Sequence, residues 1–356
     1  MGQPRSSAER KDRAPAETGR CASEFDRNNQ LMYQIFLIFI ILIFTNANFA
    51  LASEISHPPT YEQIKQSYKD KDQFITDIYE AFKYNSDDIE FLKQKKNINY
   101  IVAIAYQMNR SEAVNLLMSY LPEIRNNYLG LSLLISSALR EKTLDKKIPL
   151  ENLSKELIKQ SPNNGYAYYL IAFYYAKMNQ FEECINFTKK AVNSSSFNNY
   201  WADYSRNSIS ASTILGYPIL AAQIHALGLQ HDMFVYYELA KYILNHDTSR
   251  KSIALCKEMG GILKKNSTTV FADYMSLAIQ KKSLEKLKKY INTDKELGTI
   301  EDLKGHLKIL TESLSTISET HDISEERWEQ YYSDLYGQSE QYAIEKLMSE
   351  YPVNIK

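Results

Sequence analysis

The sequence predicts an all-α protein built from antiparallel helical hairpins. Only 11 Gly and 9 Pro occur among 356 residues, and sheets need many tight turns that draw on these two residues. Apolar side chains recur at helical spacing from Thr60 almost to the C-terminus. Short polar or glycine-containing breaks separate the helical stretches. They are Asn85-Ser86-Asp87, Pro162-Asn163-Asn164, Gly216-Tyr217-Pro218 and Gly337.

An apolar stretch near the N-terminus, residues 31–52, has the features of an export signal. Its unbroken core, Ile35–Phe44, spans about 15 Å, half of a hydrocarbon layer of about 30 Å. It ends in Ala50-Leu51-Ala52 followed by Ser53. Small residues at Ala50 and Ala52 suit a signal peptidase, so we predict cleavage before Ser53.

Residues 1–30 precede this stretch and differ from the rest of the chain, because their basic residues are mostly Arg. We interpret them as a disordered or non-native leader, with Met32 as a plausible start. Two other readings of residues 31–52 stay open: a membrane anchor with residues 1–30 in the cytoplasm, and a buried helix. Membrane contact is expected only through residues 31–52, if they remain uncleaved. Residues 53–59 are predicted to be a linker.

Charge and motifs narrow the function classes. The chain carries 42 basic and 43 acidic residues, whereas a nucleic-acid binder would show a basic excess. No phosphate loop, H-E-x-x-H, G-x-S-x-G or C-x-x-C motif occurs. We therefore predict no cofactor and no nucleic-acid partner. Cys184 and Cys256 follow the predicted cleavage site, and the sequence leaves open a disulfide or two separate buried thiols.

The most informative segment, residues 163–195, contains two amphipathic helices joined by a turn at Met178-Asn179-Gln180. Apolar and aromatic side chains on the first helix can face an apolar stripe on the second, and small residues at Ala172 and Cys184 would let the two helices approach closely. The residues that carry this pattern are Tyr168, Ile171, Ala172, Tyr175, Phe181, Cys184, Ile185 and Ala191.

This pattern resembles a tetratricopeptide repeat (TPR), with Pro162 where a preceding repeat would end. Ala172 replaces the usual Gly, Cys184 replaces a usual Ala, and Thr188 stands where an aromatic is common. A weaker match at Ile98–Asn109 lies about 70 residues upstream, close to two periods of about 34 residues. The resemblance implies a solenoid of stacked hairpins over residues 60–292. Further predicted helices or helix pairs are Leu131–Leu139, Leu150–Gln160, Tyr200–Leu263 and Val270–Ile291.

In this family the first helices of the hairpins line a groove that binds protein or peptide partners. The resemblance therefore implies a partner-binding stripe at Tyr166, Tyr169, Phe173 and Lys177. Tyrosine suits recognition because it combines a large contact area with a hydroxyl. The alternative is that these aromatic side chains pack against an adjacent helix.

Residues 293–356 are predicted to form a C-terminal helical cap. Capping boxes are predicted at Thr293 with Glu296 and at Asp322 with Glu325, as at Thr60 with Gln63. A heptad-like stripe invites two interpretations, a helix closing the solenoid or a seam for homo-oligomerisation. Its residues are Ile300, Leu303, Leu307, Leu310, Leu314 and Ile317.

Three His-Asp pairs are the only candidates for catalysis: His231-Asp232, His246-Asp247 and His321-Asp322. A metal-dependent hydrolase would need several such ligands on rigid facing helices. Two of the pairs instead resemble helix ends and caps. We therefore expect an exported, periplasmic or envelope scaffold that binds a protein partner. A membrane-anchored assembly factor and a helical hydrolase remain alternatives.

Overall fold

The computed structural model describes residues 60–62, 83–141, 145, 147–227 and 233–353. The leader, the predicted signal with its cleavage site and the linker lie outside these residues. So does Gln63, and with it the capping box predicted at Thr60.

The described chain is all-helical, with one isolated bridge between Asn164 and Ser196 and no strand. Polar side chains begin most of its helices. Asn residues cap α1, α2, α3, α5 and α7 through side-chain oxygens that accept backbone N–H bonds. The helices are α1 Ser86–Gln94, α2 Ile98–Gln107, α3 Arg110–Ser119, α4 Leu121–Ile124, α5 Tyr128–Leu139, α6 Leu150–Gln160, α7 Gly165–Lys177, α8 Phe181–Val192, α9 Trp201–Ile214, α10 Ile219–Leu227, α11 Met233–His246, α12 Arg250–Asn266, α13 Val270–Leu287, α14 Asp294–Thr320, α15 Glu325–Gly337 and α16 Glu340–Glu350.

Adjacent helices pack in pairs. Contacts join α2 to α3, α5 to α6, α7 to α8, α11 to α12, α13 to α14 and α15 to α16. The first helices of successive pairs also touch in the order α2, α5, α7, α11 and α13, which makes them one layer. The four predicted breaks all coincide with helix boundaries, and Gly216 adopts the positive φ of 87° that glycine tolerates.

The α7–α8 pair confirms the predicted helical hairpin. Its turn lies at Met178-Asn179-Gln180, where Asn179 adopts a left-handed φ of 57°. Ala172 and Cys184 are fully buried, as expected for small residues at a close helix–helix contact. The prediction for Val270–Ile291 is wrong, however. That stretch forms the single helix α13, which packs along α12, because its side chains supply buried positions without an internal break.

Helices α9 and α10, residues 201–227, depart from the series of pairs; we call them the insert. Helix α7 contacts α11 directly, and α8 contacts α12, so the insert is bypassed. Instead α9 packs on α2, and α10 packs on α15. The insert therefore joins the beginning of the helical series to its end.

The apolar stripe of α14 is covered by the chain itself. Ile300, Leu307, Leu310 and Ile317 are buried in the same core as the preceding helices, where α14 contacts α13 and α16. Leu314 is partly buried and Leu303 is 37% exposed. This burial supports the interpretation of α14 as an intramolecular closing helix.

Two predicted caps of the C-terminal region are wrong. The Thr293 hydroxyl makes no cap and bonds the Leu284 carbonyl at 3.3 Å, because Thr293 is buried. Helix α15 begins at Glu325, and Ser324, not Asp322, accepts its capping bond, from the Arg327 N–H. Among the residues that the structure describes, no helix combines the length and apolar character needed to cross a bilayer.

Candidate functional site

The predicted partner-binding stripe on α7 lies inside the molecule. Tyr166 and Tyr169 have no exposed surface. The ring centroid of Tyr166 lies 5.7 Å from that of Tyr200. The ring centroid of Tyr169 lies 6.0 Å from that of Phe197 and 5.3 Å from that of Tyr236. The prediction that Tyr166 and Tyr169 are exposed to a partner is therefore wrong. The segment before the insert and helix α11 cover the α7 stripe, so the alternative of packing on neighbouring helices holds.

The other end of this stripe is closer to the surface. Phe173 is buried, whereas Lys177 is exposed and its ammonium donates to the Glu141 carbonyl at 2.8 Å. Desolvation of the ammonium by the neighbouring chain lowers the pKa of Lys177 below its usual range. Of the four predicted residues, only Lys177 is open to a partner.

The surfaces of α2 and α5 that meet the insert form what we call the inner face. A polar stripe on α9 has residues four apart, Tyr204, Ser208 and Ser212. Tyr204 and Ser208 contact the inner face, whereas Ser212 contacts Tyr84 and His225. The Tyr204 hydroxyl bonds to Ser132 Oγ and donates to the Leu129 carbonyl at 3.1 Å, both in α5. Its ring stacks on Tyr106 of α2 at a centroid distance of 5.0 Å.

The serines of this stripe continue the polar contact. Gln107 of α2 donates from Nε2 to Ser208 Oγ at 2.8 Å and lies 3.0 Å from His225 Nδ1 of α10. Ser212 Oγ is also 3.0 Å from His225 Nδ1 and 3.1 Å from the Tyr84 hydroxyl. All of these side chains are buried. Burial raises the pKa of Tyr84 to about 12, so its hydroxyl remains protonated.

Several buried polar atoms at the insert have no hydrogen-bond partner among the residues that the structure describes. They are Gln107 Oε1, Trp201 Nε1, Asn207 Nδ2 and Gln223 Oε1. A buried donor or acceptor left unsatisfied costs about 1–3 kcal/mol. The contact between the insert and its surroundings is therefore less complete than that of an optimised core.

The opposite side of the insert contacts the C-terminal hairpin. The ring centroid of Trp201 lies 5.3 Å from that of Tyr336 in α15. The Tyr336 hydroxyl donates to the Gln223 carbonyl at 2.6 Å, and Gln223 Nε2 donates to the Glu329 carbonyl at 3.3 Å. These contacts hold α9 and α10 between the two ends of the helical series.

A strained residue precedes the insert. Tyr200, the residue before α9, adopts φ 62° and ψ 10°, a left-handed conformation that costs about 1–3 kcal/mol outside glycine. Its ring packs against Tyr128 and Tyr166, and its hydroxyl donates to Ser161 Oγ at 2.9 Å. Surrounding contacts thus hold Tyr200 in place despite its backbone strain.

The described His-Asp pairs lie at helix ends, as expected. His246 ends α11, and Asp247 accepts bonds from Ser252 Oγ at 2.6 Å and the Ser249 N–H at 2.7 Å, which lower its pKa. His321 follows the last residue of α14. The pair His231-Asp232 lies outside the described residues. Within those residues, no group of three His, Cys, Asp or Glu side chains is arranged to hold a metal ion.

Cys184 and Cys256 are both free thiols and both buried. They belong to α8 and α12, which contact each other. Burial raises the pKa of Cys184 to about 12 and also raises that of Cys256. Protonated, enclosed thiols are poor nucleophiles, so these residues act as small core side chains here.

The inner face is the part of the site that sequence reasoning missed. The available signal was the central polar stripe of α9, in which small or hydroxyl-bearing residues recur four apart. Tyr84, Gln107 and Ser132 gave no such signal, because they come from separate segments brought together by packing. No protein family, curated protein or solved structure matches this chain.

Proposed function

We propose that the protein is a TPR-like helical scaffold that binds another protein and acts outside the cytoplasm. The observation that carries the proposal is the layer formed by α2, α5, α7, α11 and α13, the first helices of successive pairs. Stacked helical hairpins expose extended surfaces that bind proteins, because each pair buries only part of its own surface.

The export half of the proposal rests on residues 31–52. The short apolar run and the small residues at Ala50 and Ala52 favour a cleaved signal over a membrane span. A membrane-anchored assembly factor is the same scaffold with that segment retained. N-terminal sequencing of protein recovered from fractionated native cells tests this half. A soluble product that begins at Ser53 supports export with cleavage. A membrane-bound product that retains residues before Ser53 overturns cleavage and favours the membrane-anchored alternative.

Protein binding is tested by site-specific photo-crosslinking in native cells. A photoreactive amino acid replaces, one at a time, three exposed side chains spread along the chain: Phe91, Met178 and Tyr342, which are 39%, 47% and 46% exposed. Replacement of buried Leu117 provides the background control, since it faces no partner. A discrete adduct with a second protein at one or more exposed positions is expected. Adducts no more abundant than the Leu117 background at all three positions would overturn the proposal.

A further inference from the structure

We propose that one edge of the helical array binds the surface of an anionic phospholipid bilayer. The edge consists of three hairpin turns, each taken from the last residue of the first helix to the second residue of the second helix: residues 177–182, 246–251 and 287–295. We call it the turn edge. This contact does not involve residues 31–52, the only segment that the sequence predicts to meet a membrane, and it does not depend on the protein binding of the proposed scaffold.

The three turns form one continuous surface. The hydroxyl of Tyr242, near the end of α11, donates to Asn179 Oδ1 in the first turn at 3.2 Å. The Tyr290 hydroxyl in the third turn donates to the Thr248 carbonyl in the second turn at 2.9 Å. Helices α7, α11 and α13 also contact each other in that order. Neighbouring helix axes lie about 8–10 Å apart, so the turn edge is about 20 Å long.

The turn edge is more positive than the chain as a whole. It carries six basic and three acidic residues, a net charge of +3, whereas the whole chain has a net charge of −1. Two of the acidic residues already have partners, since Asp247 accepts bonds from Ser249 and Ser252, and Asp294 pairs with Lys288 at 2.9 Å. The basic residues are Lys177, Arg250, Lys251, Lys288, Lys289 and Lys295. Each basic residue near an anionic lipid surface strengthens binding about fivefold, so the excess charge favours such a surface.

Exposed apolar side chains accompany this charge. Among the ten large hydrophobic side chains that are exposed in the described part of the chain, three lie on the turn edge: Met178, Tyr290 and Ile291, which are 47%, 45% and 37% exposed. The Lys289 ammonium lies 4.8 Å from the centroid of the Tyr290 ring. At a bilayer surface, aromatic rings and aliphatic side chains enter the headgroup region while a lysine reaches the phosphates. An acidic protein segment would require only the cations, so the apolar residues favour a bilayer.

The turn edge is open, whereas the opposite end of α13 is covered. Residues 177–180, 248–251 and 288–292 are all exposed. At the opposite end, the Glu340 N–H of α16 donates to the Thr268 carbonyl at 2.8 Å, and the Glu340 carboxylate accepts from the Val270 N–H at 2.7 Å. Tyr342 on α16 is therefore separated from the turn edge by the length of α13, roughly 27 Å. A flat surface can reach the turn edge without displacing any described helix.

The test measures binding to vesicles of equal parts phosphatidylglycerol and phosphatidylcholine, with pure phosphatidylcholine vesicles for comparison. The protein is the chain from Ser53 to Lys356, which contains every described helix and lacks residues 31–52. Sedimentation with the vesicles is expected to show at least about 50-fold tighter binding to the anionic vesicles at low salt. Equal binding to both kinds of vesicle would overturn the inference.

Two pairs of charge reversals locate the contact. Lys251→Glu with Lys289→Glu changes the net charge of the turn edge from +3 to −1 and should lower the affinity for anionic vesicles by at least about 50-fold. The matched control, Lys189→Glu with Lys190→Glu, makes the same change in total charge in the last turn of α8. That site is about 12 Å along the helix from Phe181, beyond the Debye length of about 8 Å, so the control should bind within about threefold of wild type. Equal losses for the two pairs would overturn the inference.

A second contrast tests the apolar residues. Met178→Gln with Ile291→Gln leaves the charge unchanged and should weaken binding to the anionic vesicles by about 10-fold, because these side chains no longer enter the headgroup region. Ile309→Gln with Tyr342→Gln, at positions that are 47% and 46% exposed outside the turn edge, should match wild type. Unchanged binding of the first pair would rule out the bilayer as the occupant. Binding of polyglutamate without binding of anionic vesicles would do the same, because the partner would then be an acidic protein segment.

A local readout on the full chain keeps the test decisive. Circular dichroism checks that each variant keeps the helical fold. If the chain from Ser53 does not fold, the full chain replaces it, with Cys21→Ser and a fluorophore on Met178→Cys or, as the control, on Tyr342→Cys. Spin-labelled lipid in the anionic vesicles should quench the first fluorophore and not the second, because only the turn edge meets the bilayer. Equal quenching at the two positions, or none at Met178, would contradict the inference.

Discussion

Adjacent glycines in α12 show how strongly the position of a single residue decides its role. A Cβ on Gly260 would lie 2.9 Å from the Ser276 carbonyl oxygen of α13 and 2.7 Å from the Gln280 side chain, whereas a Cβ on Gly261 would have no neighbour within 4 Å. Gly260 therefore permits the close approach of α12 to α13, and Gly261 does not take part in it.

We expect Gly260→Ala to lower the free energy of unfolding by about 1–3 kcal/mol, because the added Cβ would clash with the Ser276 carbonyl oxygen. The matched Gly261→Ala should raise it by about 0.5–1 kcal/mol, because alanine favours a helix interior. Urea denaturation followed by circular dichroism measures both values. Similar effects of the two substitutions would contradict the close approach described here.

Two buried tyrosines provide a second contrast between residues. Within the described part of the chain the Tyr169 hydroxyl has no hydrogen-bond partner, whereas that of Tyr204 bonds to Ser132 and Leu129. We expect Tyr169→Phe to leave the free energy of unfolding unchanged or raise it by up to about 1 kcal/mol, and Tyr204→Phe to lower it by about 1–3 kcal/mol. Chemical denaturation of both variants provides the measurement, and a greater loss for Tyr169→Phe would refute the assignment.

At the scale of elements, α14 closes the core through one face. Leu307 is 2% exposed and Leu303 is 37% exposed, although both lie on the predicted stripe. We expect Leu307→Ala to cost about 2–5 kcal/mol of stability and Leu303→Ala less than about 1 kcal/mol. Chemical denaturation measures the change in stability of each variant, and light scattering measures its molar mass. A change in molar mass for Leu307→Ala at unchanged stability would instead indicate a homo-oligomeric seam.

The junction of α13 and α16 should make stability depend on pH. Glu340 accepts a bond from the Val270 N–H at 2.7 Å, yet burial, aided by the Asp273 carboxylate, raises its pKa from 4.5 to about 7. The folded chain thus binds this proton more tightly than the unfolded chain. Its contribution is fully present below about pH 4.5 and is lost as pH rises through about 7.

Glu340→Gln tests this dependence, because glutamine keeps an acceptor for Val270 and cannot ionise. Its melting temperature should fall less than that of wild type between pH 5 and pH 8. Glu182→Gln, on the exposed surface of α8, is the control and should follow wild type. Parallel profiles for wild type and Glu340→Gln would show that Glu340 does not contribute.

Local chemistry explains which elements the sequence predicts well. The α7–α8 hairpin follows from helical spacing and a polar turn, both readable within about 30 residues. The length of α13 was missed because helix and hairpin share the same apolar spacing, and only packing against α12 and α14 distinguishes them. The cap at Ser324 rather than Asp322 differs by two residues, within the usual uncertainty of helix ends.

At the scale of the whole molecule, the buried cysteines should report on the stability of the array. Cys184 and Cys256 are both fully buried, on α8 and α12. We expect thiol labelling of the native protein to occur only through global unfolding, with a denaturant dependence equal to that of the equilibrium transition. Labelling that is faster than global unfolding allows would contradict the enclosure of these thiols in a stable core.

The candidate site belongs to this scale as well, which is why the sequence does not reveal it. Tyr166 and Tyr169 have the spacing of an exposed groove, and their burial depends on Phe197, Tyr200 and Tyr236, which come later in the chain. Similarly, Tyr84 meets Ser212 across 128 positions. Helical spacing shows which residues share a face, but it does not show which distant segment covers that face.

The position of the insert has a consequence for the order in which the protein assembles. When α10 has been synthesised, α2 is already present to receive α9, but α15 is complete only 110 residues later, at Gly337. At ribosomal rates of about 5–20 residues per second, synthesis of α15 with Tyr336 is complete roughly 5–20 seconds after that of α10. During that interval the nascent chain has an open apolar flank, and its final long-range closure is the step most exposed to misassembly.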